Sequence, residues 1–96
     1  MRHSLDAELN QRVVVGEDEA EWRVVGVSPE TGVVSLCSDL GRTLDIGAAE
    51  RRMAPGVRVK AVVEYGRLRL RFETAAHIPV HNGGTQDWID RVRASF

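Results

Sequence analysis

The sequence is short of cysteine, of aromatic residues and of long apolar runs. Its 96 residues include one cysteine, Cys37, and 5% aromatic side chains. A single cysteine excludes an internal disulfide bond, and its place in an apolar strand pattern predicts an inert core thiol in a reducing compartment. No apolar run approaches the ~18 residues that span a bilayer, and the N-terminus lacks the apolar segment of a signal peptide. We therefore expect a soluble cytoplasmic protein that does not insert into membranes.

Patterns of catalytic and metal-binding residues are also lacking. His77 and His81 are four residues apart, but Pro79 between them excludes the helix that would bring both to one metal ion. No glycine-rich loop is followed by Lys-Ser or Lys-Thr, and no serine stands in a nucleophile elbow. We therefore expect a protein that is not an enzyme and holds no metal or cofactor.

The charges nearly cancel, but they are unevenly distributed along the chain. The 13 Lys and Arg residues oppose 14 Asp and Glu residues, which gives a formal net charge of -1. A generic nucleic-acid-binding domain is usually clearly basic. Acidic side chains crowd residues 17–21 and arginines crowd residues 57–73, so we expect a dipolar molecule that steers an acidic partner toward its basic side. The alternative interpretation is an ordinary solvated surface.

Residues 57–73 contain the clearest structural pattern. Apolar and polar residues alternate with a period of two on both sides of Tyr65-Gly66, which predicts two strands joined by a tight hairpin turn. A two-residue turn places Glu64 opposite Arg67, and therefore Lys60 opposite Arg71. The inner face of the hairpin then holds seven apolar residues: Val57, Val59, Ala61, Val63, Leu68, Leu70 and Phe72.

The other face of this hairpin is basic and is the predicted partner-binding site. It consists of Arg58, Lys60, Arg67, Arg69 and Arg71, with Tyr65 at the tip of the turn. Like charges on facing residues repel, so the Lys60–Arg71 pair opposes folding and favours a binding role for this face. Arginines about 7 Å apart also match the spacing of phosphates along a nucleic-acid strand, whose bases would stack on Tyr65. Alternatively, the arginines only cover the sheet and are neutralised by nearby carboxylates.

Shorter patterns fill the rest of the chain. Further strands are predicted at residues 12–15, 21–27, 33–38 and 43–46, separated by turns that contain Gly or Pro. Short helical turns are predicted at residues 4–9 and 47–53, from a Ser cap and from good helix formers. Residues 85–96 predict an amphipathic helix, with Thr85 as its N-cap and Trp88 on its apolar stripe.

Together these elements predict a mainly β fold. We expect a small antiparallel β-barrel of about six strands, with a short helical turn and a C-terminal amphipathic helix (85–96). Closing the sheet would bury one face of each strand and remove the exposed edges. The whole chain, residues 1–96, is expected to form one domain. Trp88 is the possible anchor of the helix, either in the core or on a partner.

Two known families resemble parts of this pattern. The order of strands and turns over residues 12–53 is similar to that of SH3-like or Tudor-like small barrels, which bind peptides, modified tails, RNA or other proteins. Residues 25–33 (VGVSPETGV) resemble the Asp/Asn-x-Ser-x-x-Gly turn of PilZ domains, bacterial six-stranded barrels with a C-terminal helix that often bind cyclic di-GMP. Residues 66–72, followed by a Trp-bearing helix, resemble the end of that barrel. The PilZ resemblance implies Arg12 and Ser28 as nucleotide-binding residues.

The sequence departs from the PilZ pattern at three positions. Gly26 stands where the turn has its acidic or amide residue, Gly32 falls one position late, and Arg12 has no arginine four residues before it. The resemblance therefore implies a degenerate member, which acts as a protein adaptor. We predict a non-catalytic regulatory adaptor whose basic hairpin face binds an acidic protein surface. A PilZ-like receptor for cyclic di-GMP and an RNA- or DNA-binding barrel are the alternatives.

Overall fold

The computed structural model describes residues 1–16, 20–75 and 78–85. Every regular element in these residues is a β-strand, so the predicted mainly β class is confirmed. The strands are β1 (Arg2–Asp6), β2 (Gln11–Val15), β3 (Ala20–Ser28), β4 (Val33–Ser38), β5 (Thr43–Ile46), β6 (Arg51–Ala54), β7 (Val57–Glu64), β8 (Arg67–Thr74) and β9 (Val80–Thr85). In this part of the chain no helix is long and apolar enough to cross a membrane.

The strands form two antiparallel sheets. One is four-stranded, in the order β1-β8-β7-β6, and the other is five-stranded, in the order β5-β4-β3-β2-β9. The chain passes from the first sheet to the second after β1, where the amide of Ala7 bonds to Leu68 O and the amide of Asn10 bonds to Val24 O. It returns after β5, where Gly47 O accepts a bond from the amide of Ala61.

The two sheets enclose one hydrophobic core. Fully buried side chains come from both sheets, and the largest include Phe72 and Leu70 from the four-stranded sheet and Leu36 and Ile46 from the five-stranded sheet. Burying an apolar side chain of this size stabilises the fold by about 1.5–3 kcal/mol. The inner faces of the two sheets therefore pack against each other, and the outer faces are not part of this core.

The predicted closed barrel is wrong for the residues that the structure describes. The two sheets are separate hydrogen-bonded units, and together they contain nine strands rather than about six. The strands that the sequence did not predict, β1, β6 and β9, extend both sheets. Two sheets that pack face to face bury the apolar side of each strand without closing into a barrel.

The β7–β8 hairpin has the predicted register. Glu64 lies opposite Arg67, and Lys60 lies opposite Arg71. Tyr65 and Gly66 have φ angles of 53° and 76°, so both central residues of the turn are left-handed, as in the type I′ turns that match the twist of a hairpin. The predicted inner face is buried except for Val63, which is 61% exposed. Val63 is the last inward-facing position before the turn, and it extends past the core.

The two predicted helical turns are also wrong. Residues 2–6 form β1, which pairs with β8, and residues 51–54 form β6, which pairs with β7. Helix propensities differ by less than about 1 kcal/mol per residue, and pairing with a neighbouring strand overrides preferences of that size. In β1 the sequence RHSLD alternates with a period of two, which is a strand signal. The structure follows this alternation, because His3 and Leu5 are more buried than their neighbours.

Two further predictions have different outcomes. Thr85, the predicted helix cap, is the last residue of β9 and pairs with Gln11. The helix predicted for residues 85–96 otherwise falls outside the described residues, and so does Trp88. Cys37 is half-buried rather than a core thiol, because Leu36 takes the buried position in the alternation of β4.

Candidate partner-binding face

The outer surface of the four-stranded sheet carries most of the predicted site, and we call it the basic face. Successive side chains of a strand point to opposite sides. Since Val57, Val59 and Ala61 are buried in the core, Arg58 and Lys60 must point outward. The same alternation in β8 turns the side chains of Arg67, Arg69 and Arg71 to this surface.

The register arranges the basic face in rows that run across the strands. Two rows lie next to the Pro55-Gly56 turn between β6 and β7, and we call them the turn end. The first row contains Arg2, Glu73, Arg58 and Arg52, and the second contains Ser4, Arg71 and Lys60. The first row thus has three arginines against one carboxylate, and the second has two cations and no carboxylate. Positive charge is concentrated at this end.

Two more rows lie next to the Tyr65-Gly66 turn, and we call them the tip end. The third row contains Asp6, Arg69 and Val62, and the fourth contains Arg67 and Glu64. Each of these rows has one cation and one carboxylate. The tip end is therefore electrically balanced, although it is built from the same two strands as the turn end.

The two carboxylates of the tip end, Asp6 and Glu64, pair with two of the predicted arginines. The Arg69 guanidinium lies 3.1 Å from the Asp6 carboxylate and 3.6 Å from that of Glu64. The second oxygen of Glu64 accepts a hydrogen bond from Arg71. The side chains of Arg69 and Arg71 are each about one-third exposed, so both arginines mainly bind neighbouring carboxylates. This is the arrangement expected of arginines that cover a sheet.

The other cations of the basic face are less engaged. Among the described residues, Arg52, Lys60 and Arg67 make no ion pair within 4 Å. Arg58 contacts Glu50 at 3.4 Å, but both side chains are well exposed, and such surface pairs stabilise a protein by at most about 1 kcal/mol. The charge that remains for a partner lies mainly at the turn end.

Two depressions open on the turn end. The larger holds about 340 Å³ and is lined by Arg52, Gly56, Val57, Arg58, Glu73 and Thr74. The smaller holds about 130 Å³ and is lined by Arg2, Glu50, Lys60, Arg71 and Glu73. Glu73 separates them and contacts Arg2 at 3.3 Å. Each depression has basic side chains on its rim.

Tyr65 lies far from these depressions. Its side chain is fully exposed at the tip of the hairpin. Seven residues of extended strand separate it from Arg58, a distance of about 24 Å. The structure therefore places Tyr65 on the same hairpin as the basic residues, but not in one pocket with them.

The two residues implied by the PilZ resemblance lie on the five-stranded sheet. Arg12 donates a hydrogen bond to Gly83 O at 2.6 Å and lies 3.9 Å from Glu21. Its cross-strand partner in β3 is Arg23, five residues before Ser28 and about 16 Å from it along the strand. The structure does not bring Arg12 and Ser28 together.

Some residues of the basic face were missed by the sequence analysis. Arg2 and Asp6 belong to β1, and Glu50 and Arg52 lie in or next to β6. Asp6, Glu50 and Arg52 fall within the predicted helical turns, and Arg2 precedes the first of them. The alternation of RHSLD was the available signal for β1. No local signal predicted Arg52, because a bulge between Arg52 and Ala54 interrupts the register of β6.

Comparisons with known proteins give no family for this chain. No protein-family model, no curated protein and no solved structure matches it. The resemblances to PilZ domains and to SH3-like barrels therefore stay predictions, and the candidate site is defined by its own geometry.

Proposed function

We propose that this protein is a non-catalytic interaction module that binds an acidic surface of a partner protein through the turn end of its basic face. What supports the proposal is two pairs of facing residues with like charge. Arg52 faces Arg58, and Lys60 faces Arg71, on adjacent strands. Facing like charges destabilise a sheet. Glu64 already pairs with Arg71. Arg52 and Lys60, however, make no ion pair among the described residues, and their presence at one end of one face is explained if a partner supplies the missing negative charge.

A protein surface fits this face better than a nucleic-acid strand does. Carboxylates stand among the cations, with Glu73 in the first row and Glu50 beside Arg58. A continuous chain of phosphates would pass these carboxylates, whereas a protein can place its acidic side chains only where the cations lie. The formal net charge of -1 also gives no general attraction for a polyanion.

A cyclic dinucleotide is less favoured by the arrangement of the residues. Arg12 is engaged by Gly83 O and Glu21, and Ser28 lies well away from it along β3. The two side chains therefore do not meet around one ligand. An adaptor should show no heat when it is titrated with cyclic di-GMP.

Calorimetric titration with three probes tests the proposal. The probes are an acidic peptide made of Glu and Ser, a random single-stranded oligonucleotide and cyclic di-GMP. We expect the peptide to bind, with an affinity that falls as salt is added. The double variant Arg52→Glu with Lys60→Glu should abolish this binding, because each new carboxylate faces an arginine and satisfies it internally.

The control is Arg42→Glu, which makes one such charge reversal in the loop before β5, on the other sheet. This variant should bind the peptide like the wild type. Unchanged peptide binding by the double variant would refute the proposal. Tighter binding of the oligonucleotide with a steep loss in salt would instead favour the nucleic-acid alternative.

A further inference from the structure

The larger depression of the turn end has the features of an anion site. Its lining includes Val57 and Thr74, which face each other across β7 and β8 and are both buried. The Pro55-Gly56 turn borders one side, and the side chains of Arg52 and Arg58 border another. A ligand group in this depression would therefore lie beside the side chains of two arginines.

The two arginines are placed to act on the same group. They occupy directly facing positions of β6 and β7, where the Cα atoms are about 5 Å apart, and both are exposed. Each guanidinium presents five N–H donors in a planar fork that matches carboxylate or phosphate oxygens. Arg52 has no ion pair among the described residues, and the Glu50 contact of Arg58 is weak and exposed. Most of their donors are available to a ligand.

The charge of the pair indicates which anion fits. A carboxylate carries one negative charge on two oxygens and would leave one guanidinium unsatisfied. A phosphate monoester carries about 1.5 to 2 negative charges on three acceptor oxygens, which matches two guanidinium groups. We propose that Arg52 and Arg58 form a clamp for one phosphate monoester group, carried by a phosphorylated side chain of the acidic partner. The clamp rests on the proposed function and names the group that the turn end recognises.

Glu73 limits the clamp to a single phosphoryl group. It lines the same depression, faces both Arg2 and Arg58, and lies between the two depressions. A second phosphate next to the first would meet this carboxylate and be repelled. A lone phosphorylated side chain avoids it, whereas a polyphosphate or a nucleic-acid backbone does not.

Two matched peptides test the clamp. One is an acidic peptide that contains one phosphoserine, and the other is the same peptide without the phosphate. We expect the phosphorylated peptide to bind about tenfold tighter or more, and we expect Arg52→Gln and Arg58→Gln each to remove that advantage. Arg67→Gln, which removes an exposed arginine at the tip end, is the control and should keep it. Thermal melting of each variant shows whether the fold is intact.

Titration with inorganic phosphate tests whether the clamp binds the phosphate group itself, apart from any protein that carries it. Binding is monitored through the backbone amide resonances of Gly56 and Val57. If phosphate shifts these amide resonances and Arg52→Gln abolishes the shifts, the two arginines do bind a phosphate group. If neither peptide binds in that case, the proposal that a partner protein carries the phosphate is overturned. Equal affinity for the two peptides, or a retained phosphate advantage in the double variant Arg52→Gln with Arg58→Gln, overturns the clamp. If the peptides bind equally and Lys60→Glu weakens both, the clamp is wrong while the proposed function stands.

Discussion

The turn end and the tip end of the basic face share the strands β7 and β8, yet their charges are arranged differently. At the tip end Glu64 and Asp6 both contact Arg69, and Glu64 also pairs with Arg71 of the neighbouring second row. At the turn end Arg52 faces Arg58 without an intervening carboxylate. The same residue type therefore stabilises the sheet at one end and destabilises it at the other. Arginine content alone does not indicate binding, and the partner of each arginine has to be known.

The largest effect is expected from Glu64→Gln. This change removes the carboxylate that pairs with both Arg69 and Arg71, and it leaves Arg71, which faces Lys60, without its ion pair. We expect the free energy of unfolding to fall by about 1–2 kcal/mol, since hydrogen bonds to charged groups contribute that much when they are partly buried. Urea denaturation measures the change.

The matched variant at the turn end is Glu50→Gln. Its contact with Arg58 is exposed, so we expect a loss below about 0.5 kcal/mol. Equal losses for Glu64→Gln and Glu50→Gln would contradict the difference between the two ends.

A smaller effect is expected at the tip itself, from Tyr65→Asn. Tyr65 has a φ of 53°, a left-handed conformation that asparagine adopts more readily than a bulky residue does. Because the exposed ring contributes no burial, we expect the melting temperature to rise by a few degrees. Tyr65→Phe keeps the same backbone demand and should melt like the wild type. A fall in the melting temperature of Tyr65→Asn would mean that the ring itself stabilises the hairpin.

The smallest effect is expected from Lys60→Glu, which replaces the Lys60–Arg71 repulsion by an attraction. We expect the free energy of unfolding to rise by about 0.3–0.5 kcal/mol, as for other cross-strand pairs on exposed faces. At about 1 M salt the Debye length falls to about 3 Å, so the gain over the wild type should shrink. Lys60→Gln should show part of the gain, and a loss of stability in Lys60→Glu would show that the like-charge pair is not strained.

Much of the fold was predictable where the signal is local. Two strands, Val33–Ser38 and Thr43–Ile46, have the bounds that the sequence predicted. The β7–β8 register was predictable because a two-residue turn leaves only one way to pair the flanking residues. The strands β1, β6 and β9 were missed because they are short or carry Gly, His and helix formers, and only their pairing with a distant neighbour makes them strands.

The sequence predicted which basic residues form the candidate site, but not which of them are paired with carboxylates. The sequence alone determined that Arg58, Lys60, Arg67, Arg69 and Arg71 share one face, since the alternation of a strand requires it. Only the tertiary structure decided which of these positive charges form ion pairs with carboxylates. Asp6 reaches Arg69 from β1, and Arg52 is placed opposite Arg58 by β6. The physical reason is that a hairpin specifies its own register, whereas the strands on its two edges come from elsewhere in the chain and bring their own charges.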